Sequence, residues 1–262
     1  MTLLFTLRLC YNEFGGLNMK ETFDNYIEAG KNKVKNSASN TLVLAMFAGA
    51  FIAIAGVAST IASHGIENAS VAKLLSALVF PMGLILVILF KTELFTGNCL
   101  LVIPLIKKEI KLKNLIKNLI IVYLGNFIGA IIVALMLKQG GHYDNPIYLE
   151  TVIKIAKNKV ACDFLKAFIL GVLCNILVCM AVLISFSVKD TVAKIMVIFI
   201  PIFLFIMLGF EHSVANMYYL FAAYLNKGIG LKAILNNLIP VTLGNIVGGM
   251  GFALIYYFPH KK

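Results

Sequence analysis

Long apolar runs alternate with short polar stretches along this chain. Six runs exceed the roughly 18 residues that suggest a membrane-spanning helix. The first covers 41–63. The second starts near residue 72, reaches residue 90, is broken by "KTELFTGN", and resumes as "CLLVIPLI". The third covers 115–137 and the fourth 161–187. The fifth runs from about residue 194 to residue 224 and is broken at "GFEHSVANM"; the sixth covers 233–258. Turn signals such as "KQGGHYDNP" separate the runs, so 138–160 reads as a long polar loop. Ahead of the first run, "KETFDNYIEAGKNKVKNS" has the pattern of an amphipathic surface helix. The expected organisation is an N-terminal segment over 1–40, a six-span domain over 41–258 and a short tail over 259–262. Residues 1–18 read as an extension from an upstream start. Their apolar start, 2–9, is too short for a membrane anchor.

One pattern recurs. "NLIIVYLGNFIGAIIVAL" at 118–135 matches "NLIPVTLGNIVGGMGFAL" at 237–254, with Asn118, Leu124, Gly125, Asn126, Gly129 and Ala134 returning as Asn237, Leu243, Gly244, Asn245, Gly248 and Ala253. The constant offset of 119 residues makes the third and sixth spans equivalent. Three spans per half mean that the second half enters the membrane from the opposite side. The fold class is therefore an all-α integral membrane protein with an inverted three-plus-three repeat, broken in its second and fifth helices.

Composition agrees with this. Hydrophobic residues make up 60% of the 262, the mean hydropathy is +0.92, and only 13% are charged, against about 25% in a soluble domain. The net charge of +11 does not indicate nucleic acid, because the lysines sit between the spans and no aromatic-interleaved basic motif occurs. With the N-terminus inside, the inner segments carry fourteen Lys and Arg and the outer ones seven. That bias places both termini in the cytoplasm and the protein in the cell membrane. The lysines at 107, 108, 111, 113 and 117 form a solvated inner loop. The five cysteines match no metal or redox spacing and read as small hydrophobes, so no metal or cofactor is expected.

The two breaks hold the chemistry. Among twelve Asp and Glu, only Glu93 and Glu211 lie deep in apolar surroundings, one in each break, and His212 alone of four histidines lies within a span. An ionisable group at the bilayer centre costs about 2.5–3.5 kcal/mol on insertion scales. Unwound backbone there must be buried in protein or line a path. The bland role for both glutamates is to accept backbone hydrogen bonds at the broken ends; His212 reads as a pathway residue. Lys91 reaches the interface or pairs with Glu93.

"ELFTGN" at 93–98, "GFEHSVANM" at 209–217, "LGVLCNILVC" at 170–179 and "LVFPMGLIL" before the first break together resemble the formate/nitrite transporter family, over about 19–258. The resemblance implies an aquaporin-like protomer in a homopentamer, each with its own pore for formate, nitrite or hydrosulfide. By position it implies that His212 is the pore histidine, Thr96 its loop threonine, Asn175 the asparagine supporting the histidine, and Lys159 the vestibule lysine. It implies apolar constrictions at Phe80, Leu84, Leu94, Phe95, Val178 and Phe205, and break-stabilising polar residues at Glu93, Glu211 and Asn216. Gly97-Asn98 departs from many relatives, with a more mobile loop or altered selectivity as the expectation.

The physics of such a pore is consistent. A bare anion loses its hydration at an apolar slit, and neutralisation as the conjugate acid removes most of that cost. Histidine exchanges protons near neutral pH, Thr96 offers a hydroxyl, and Lys159 would concentrate anions. A neutral-solute channel of the aquaporin or glycerol type shares the repeat. It normally carries two Asn-Pro-Ala motifs, and none occurs here. An intramembrane enzyme has no support: there is no His-Glu-x-x-His, and no nucleophile motif surrounds Ser185 or Ser187.

Overall fold

The computed structural model describes residues 18–260. Residues 1–17, which include most of the expected N-terminal extension, and Lys261 and Lys262 of the tail lie outside the described residues.

The described residues form helices and turns, with no strand. Helix α1 is Met19–Lys35, capped by the Asn18 side chain on Glu21 N–H. Helix α2 is Ala38–Ser63, with Ser37 as its cap. The second span is α3, Ala69–Val79, then α4, Met82–Leu89, separated where Pro81 supplies no backbone donor. After the break come α5, Phe95–Asn98, a single 3₁₀ turn at Cys99–Leu101, and α6, Val102–Ile106. Helix α7 is Leu112–Gln139 and α8 is Pro146–Val160. Helix α9 is Phe164–Ser185, α10 is Thr191–Leu208, α11 is Ser213–Leu225 and α12 is Leu231–His260. Six stretches are long and apolar enough to cross a membrane, and the protein is a multi-pass membrane protein.

The stretch expected as a polar loop after the third span contains α8. Its start was legible: Asn145 accepts from the N–H groups of Ile147 and Tyr148, and Pro146 occupies the first turn. Tyr148, Val152 and Ala156 recur every fourth residue and are its buried side. Helix α8 stands before the second set of spans as α1 stands before the first, so the repeat includes a surface helix in each half.

Packing follows the repeat. Helix α2 lies along α7, and α9 along α12. A Cβ added at Gly129 would stand 2.0 Å from the Met46 carbonyl oxygen, and one at Gly248 would stand 2.1 Å from that of Val172. Only glycine allows these backbones to approach so closely, which is why LGN-x-x-G occurs twice. Tyr123 and Thr242, equivalent positions in the two halves, share a hydrogen bond of 3.0 Å between their hydroxyls. The repeat's pseudo-twofold axis therefore passes through this contact. Outward faces carry exposed Phe47, Ile120, Leu243 and Ile255, a surface suited to lipid.

Candidate functional site: a histidine–threonine pair in an apolar slit

Both breaks turn on a residue with positive φ. Helix α10 ends at Gly209, φ +71, in the left-handed conformation that favours glycine. The first break has Lys91 at the corresponding place, with φ +52. The chain then runs extended for a few residues before α5 and α11 begin, with Leu94 and His212 as their N-cap residues.

The breaks are held by two matching hydrogen-bond networks. In the first, Asn126 Oδ1 accepts from Phe95 N–H at 2.9 Å, while its Nδ2 donates to the carbonyls of Glu93 and Ala45 at 2.9 and 2.8 Å. In the second, Asn245 Oδ1 accepts from Ser213 N–H at 2.9 Å, while its Nδ2 donates to Glu211 and Gly171 at 3.0 and 2.8 Å. Each asparagine thus satisfies one unwound donor and two carbonyls, as a dry environment requires.

The carboxylates tie down the broken ends through side chains and not through backbone hydrogen bonds. Glu93 Oε2 accepts from the Asn98 side chain at 2.6 Å and pairs with Lys33 Nζ at 2.9 Å. Glu211 Oε2 accepts from the Asn216 side chain at 2.5 Å, and its Oε1 pairs with Lys159 Nζ at 3.1 Å. Asn98 and Asn216 reach on to Asn118 and Asn237, each at 2.8 Å. The expected backbone hydrogen bonds go to Asn126 and Asn245 instead. The glutamates are side-chain hubs that tie α1 and α8 to the breaks. Buried charges need such partners.

Two further expectations change here. Asn98 is buried and bonded on both sides, so Gly97-Asn98 marks a network and not a mobile loop. Glu93 pairs with Lys33, not with Lys91. Lys159, expected as the vestibule lysine, is paired with Glu211 at 3.1 Å. Sequence reasoning missed Lys33, Asn118, Asn126, Asn237 and Asn245 as members of the site. Four of these five are the asparagines conserved across the internal repeat, and that recurrence was the available signal.

The centre joins the halves. His212 Nε2 lies 2.9 Å from Thr96 Oγ1. Nδ1 accepts the Ala215 backbone N–H at 3.1 Å. With Nδ1 an acceptor, the ring proton is on Nε2 and donates to Thr96, which leaves the threonine hydroxyl proton free to donate onward. Asn175 Nδ2 donates to the Thr96 carbonyl at 3.2 Å and to the Asn245 carbonyl at 2.6 Å. It therefore positions Thr96 and the second network, and does not bond the imidazole that it was expected to support. Cys179 adds a thiol donor to the same Thr96 carbonyl at 3.4 Å.

Apolar side chains close around the ring. Phe80, Leu84, Leu94, Val178 and Phe205 line a cavity of about 10 Å³ beside His212, roughly the room of one water. Ile52 and Ile202, absent from the expected set, complete it. The Phe80 and Phe205 rings meet edge to face at 5.7 Å, and Phe205 stacks on His212 at 5.9 Å. Phe95 lies elsewhere, its ring on Tyr123 at 4.9 Å. On the α1 side a vestibule of about 760 Å³ shares Leu84 and Leu94 with the central cavity. The arrangement is a wide mouth carrying several lysines, an apolar slit with His212 in its wall, and Thr96 bonded to that histidine.

Comparisons with known proteins agree. Residues 20–258 match the family model described as formate/nitrite transporter. A formate channel of Bacillus thuringiensis is 35% identical over 235 residues, covering 88% of this chain and 91% of its own length. A solved structure described as an FNT family ion channel superposes with a TM-score of 0.85 at 29% identity, over 91% of this chain and 98% of that one. A pentameric formate channel with formate bound gives 0.76 at 34% identity, over 85% and 96%.

Proposed function

Because the chain belongs to the formate/nitrite transporter family, we propose that it carries small monovalent anions of the formate, nitrite or hydrosulfide class across the membrane, with a proton held transiently at His212. It is a formate/nitrite-type anion channel or transporter in its broad class. The proton step, the pentamer and the placement of both termini in the cytoplasm are our readings.

One observation carries the proton step: His212 is the polar side chain lining an otherwise apolar constriction, and Thr96 Oγ1 lies 2.9 Å from its Nε2. A bare anion entering it would be desolvated at prohibitive cost. With Nε2–H held by Thr96, the Thr96 hydroxyl donates to the anion, partly replacing its water. Nδ1 is committed to the Ala215 N–H, so proton exchange runs through Nε2 and Thr96. A doubly protonated ring would lose the Ala215 bond and hold a charge in a dry site, which excludes it as a resting state. The anion takes the Thr96 hydroxyl proton as Nε2 passes its own to Thr96, crosses the slit as its neutral acid and releases the proton to water beyond it. In the same step a proton from water on the entry side refills Nε2 and restores the starting tautomer, while Nδ1 keeps the Ala215 N–H.

A pentamer fits the wide apolar outer surface and is the assembly of the formate-bound neighbour. Lys159 is kept as the vestibule lysine, held in place by Glu211. The test is anion uptake by proteoliposomes containing wild-type protein or His212→Asn. Anion-specific flux that the substitution alters supports the reading; passage of water or glycerol alone, with no anion flux, refutes it.

A further inference from the structure

The two mouths of the slit hold their lysines differently. Lys33 and Lys159 are each consumed by a glutamate. The difference lies at the turn of each break. The α8-side break turns on Gly209, whose missing side chain leaves room for Lys73 Nζ, 3.7 Å from where a Cβ would stand. The α1-side break turns on Lys91, in the same left-handed conformation. A residue with a Cβ is strained there, and glycine is not. Strain kept beside a functional site, at a turn where the other half uses glycine, asks for a role for the side chain itself.

The surroundings of Lys91 supply that role. It lines the vestibule on the α1 side together with Lys189 and Lys194. Among the described residues, none of these three has a carboxylate within ion-pair distance. The one carboxylate in the vestibule wall, Glu93, is already paired with Lys33. Tyr26 is in the same wall, and its buried hydroxyl has no partner among the described residues. Burial pushes its phenol well above its ordinary pKa, so it remains a donor.

We propose that Lys91, with Lys189 and Lys194, forms an anion-collecting site in the α1-side vestibule, so that transport from that side saturates at lower anion concentration. The inference rests on the anion-transport reading above. Its ligands are the same small monovalent anions, met while still hydrated. A concave wall of one sign raises their local concentration ahead of the slit.

Lys91→Gly is the decisive variant, because it removes the charge and relieves the backbone. Formate flux is measured in everted and right-side-out membrane vesicles, which present opposite mouths, as half-saturating concentration and maximal rate. From the α1 side, Lys91→Gly raises the half-saturating concentration by about threefold or more and flattens its dependence on ionic strength. From the other side it changes neither, and Lys91→Arg behaves as wild type from both. The melting temperature of Lys91→Gly is unchanged or higher, which excludes a folding defect. If wild type transports formate but Lys91→Gly has the wild-type half-saturating concentration from the α1 side, or an equal rise from both sides, this inference alone falls. If wild type moves neither formate, nitrite nor hydrosulfide from either side, the transport reading falls with it.

Discussion

Thr96 Oγ1 meets His212 Nε2 at 2.9 Å, one residue from each half of the repeat, each just beyond a broken span. The pair exists only because both breaks are held in place. The asparagine networks fix Phe95 N–H and Ser213 N–H, the residues next to Thr96 and His212. Geometry at the slit is therefore set by side chains on α7 and α12 that do not touch the path.

Removing the Thr96 hydroxyl leaves Nε2–H without its partner in a dry site. Thr96→Ala is expected to lower anion flux at least tenfold, and Thr96→Ser to keep most of it. An unsatisfied buried donor costs about 1–3 kcal/mol. Stopped-flow uptake in proteoliposomes, with melting temperatures of both variants, separates loss of the path from loss of fold.

The buried ion pairs give a second prediction. Glu211→Gln retains the acceptor for Asn216 but strands the Lys159 charge, whose side chain is 16% exposed. The loss is about 3–5 kcal/mol, visible as a large drop in melting temperature. Pairing it with Lys159→Met should recover most of that stability. Glu93→Gln, which strands the more exposed Lys33, should cost less.

The helix crossings give a third. Gly129→Ala and Gly248→Ala force a methyl group against a carbonyl 2.0 or 2.1 Å away. Each is expected to cost about 1–3 kcal/mol or more, read as lost yield of folded protein. Gly251→Ala meets nothing within 4 Å and is the matched control, with wild-type yield.

The networks give a fourth. Asn126 and Asn245 each make three hydrogen bonds to backbone. At about 1 kcal/mol per bond, Asn126→Ala and Asn245→Ala should each lose about 3 kcal/mol of stability. Flux should fall further than the amount of folded protein, because the break next to Thr96 or His212 is released. Flux normalised to folded protein checks this.

Much of the fold was legible because a bilayer demands long apolar runs, and Glu93 and His212 stood out against that background. The duplicated LGN-x-x-G carried the inverted repeat. Helix α8 was obscured by its lysines, which give it a polar average despite a buried stripe at Tyr148, Val152 and Ala156. At the site, sequence separated the charged residues from their partners: Lys33 lies 60 residues from Glu93, and Asn245 lies 32 from Ser213. Such pairings come from tertiary packing, and no local pattern encodes them. Phe95 differs from its neighbour for a simpler reason: Leu94 is the extended N-cap of α5 and meets the slit, while Phe95 opens the helix and turns to Tyr123.

The most direct measurement is stopped-flow uptake of formate, nitrite and hydrosulfide into liposomes holding wild-type protein or His212→Asn, at an outer pH of about 5.5 and about 7.5, on either side of the ordinary histidine range. The account predicts that wild type takes up at least one of these anions, faster at the lower pH, and that His212→Asn changes that uptake at least tenfold at one of the two values. Uptake identical in the two proteins at both pH values would contradict the role given to His212. Free passage of water or glycerol with no anion uptake would contradict the anion pathway itself.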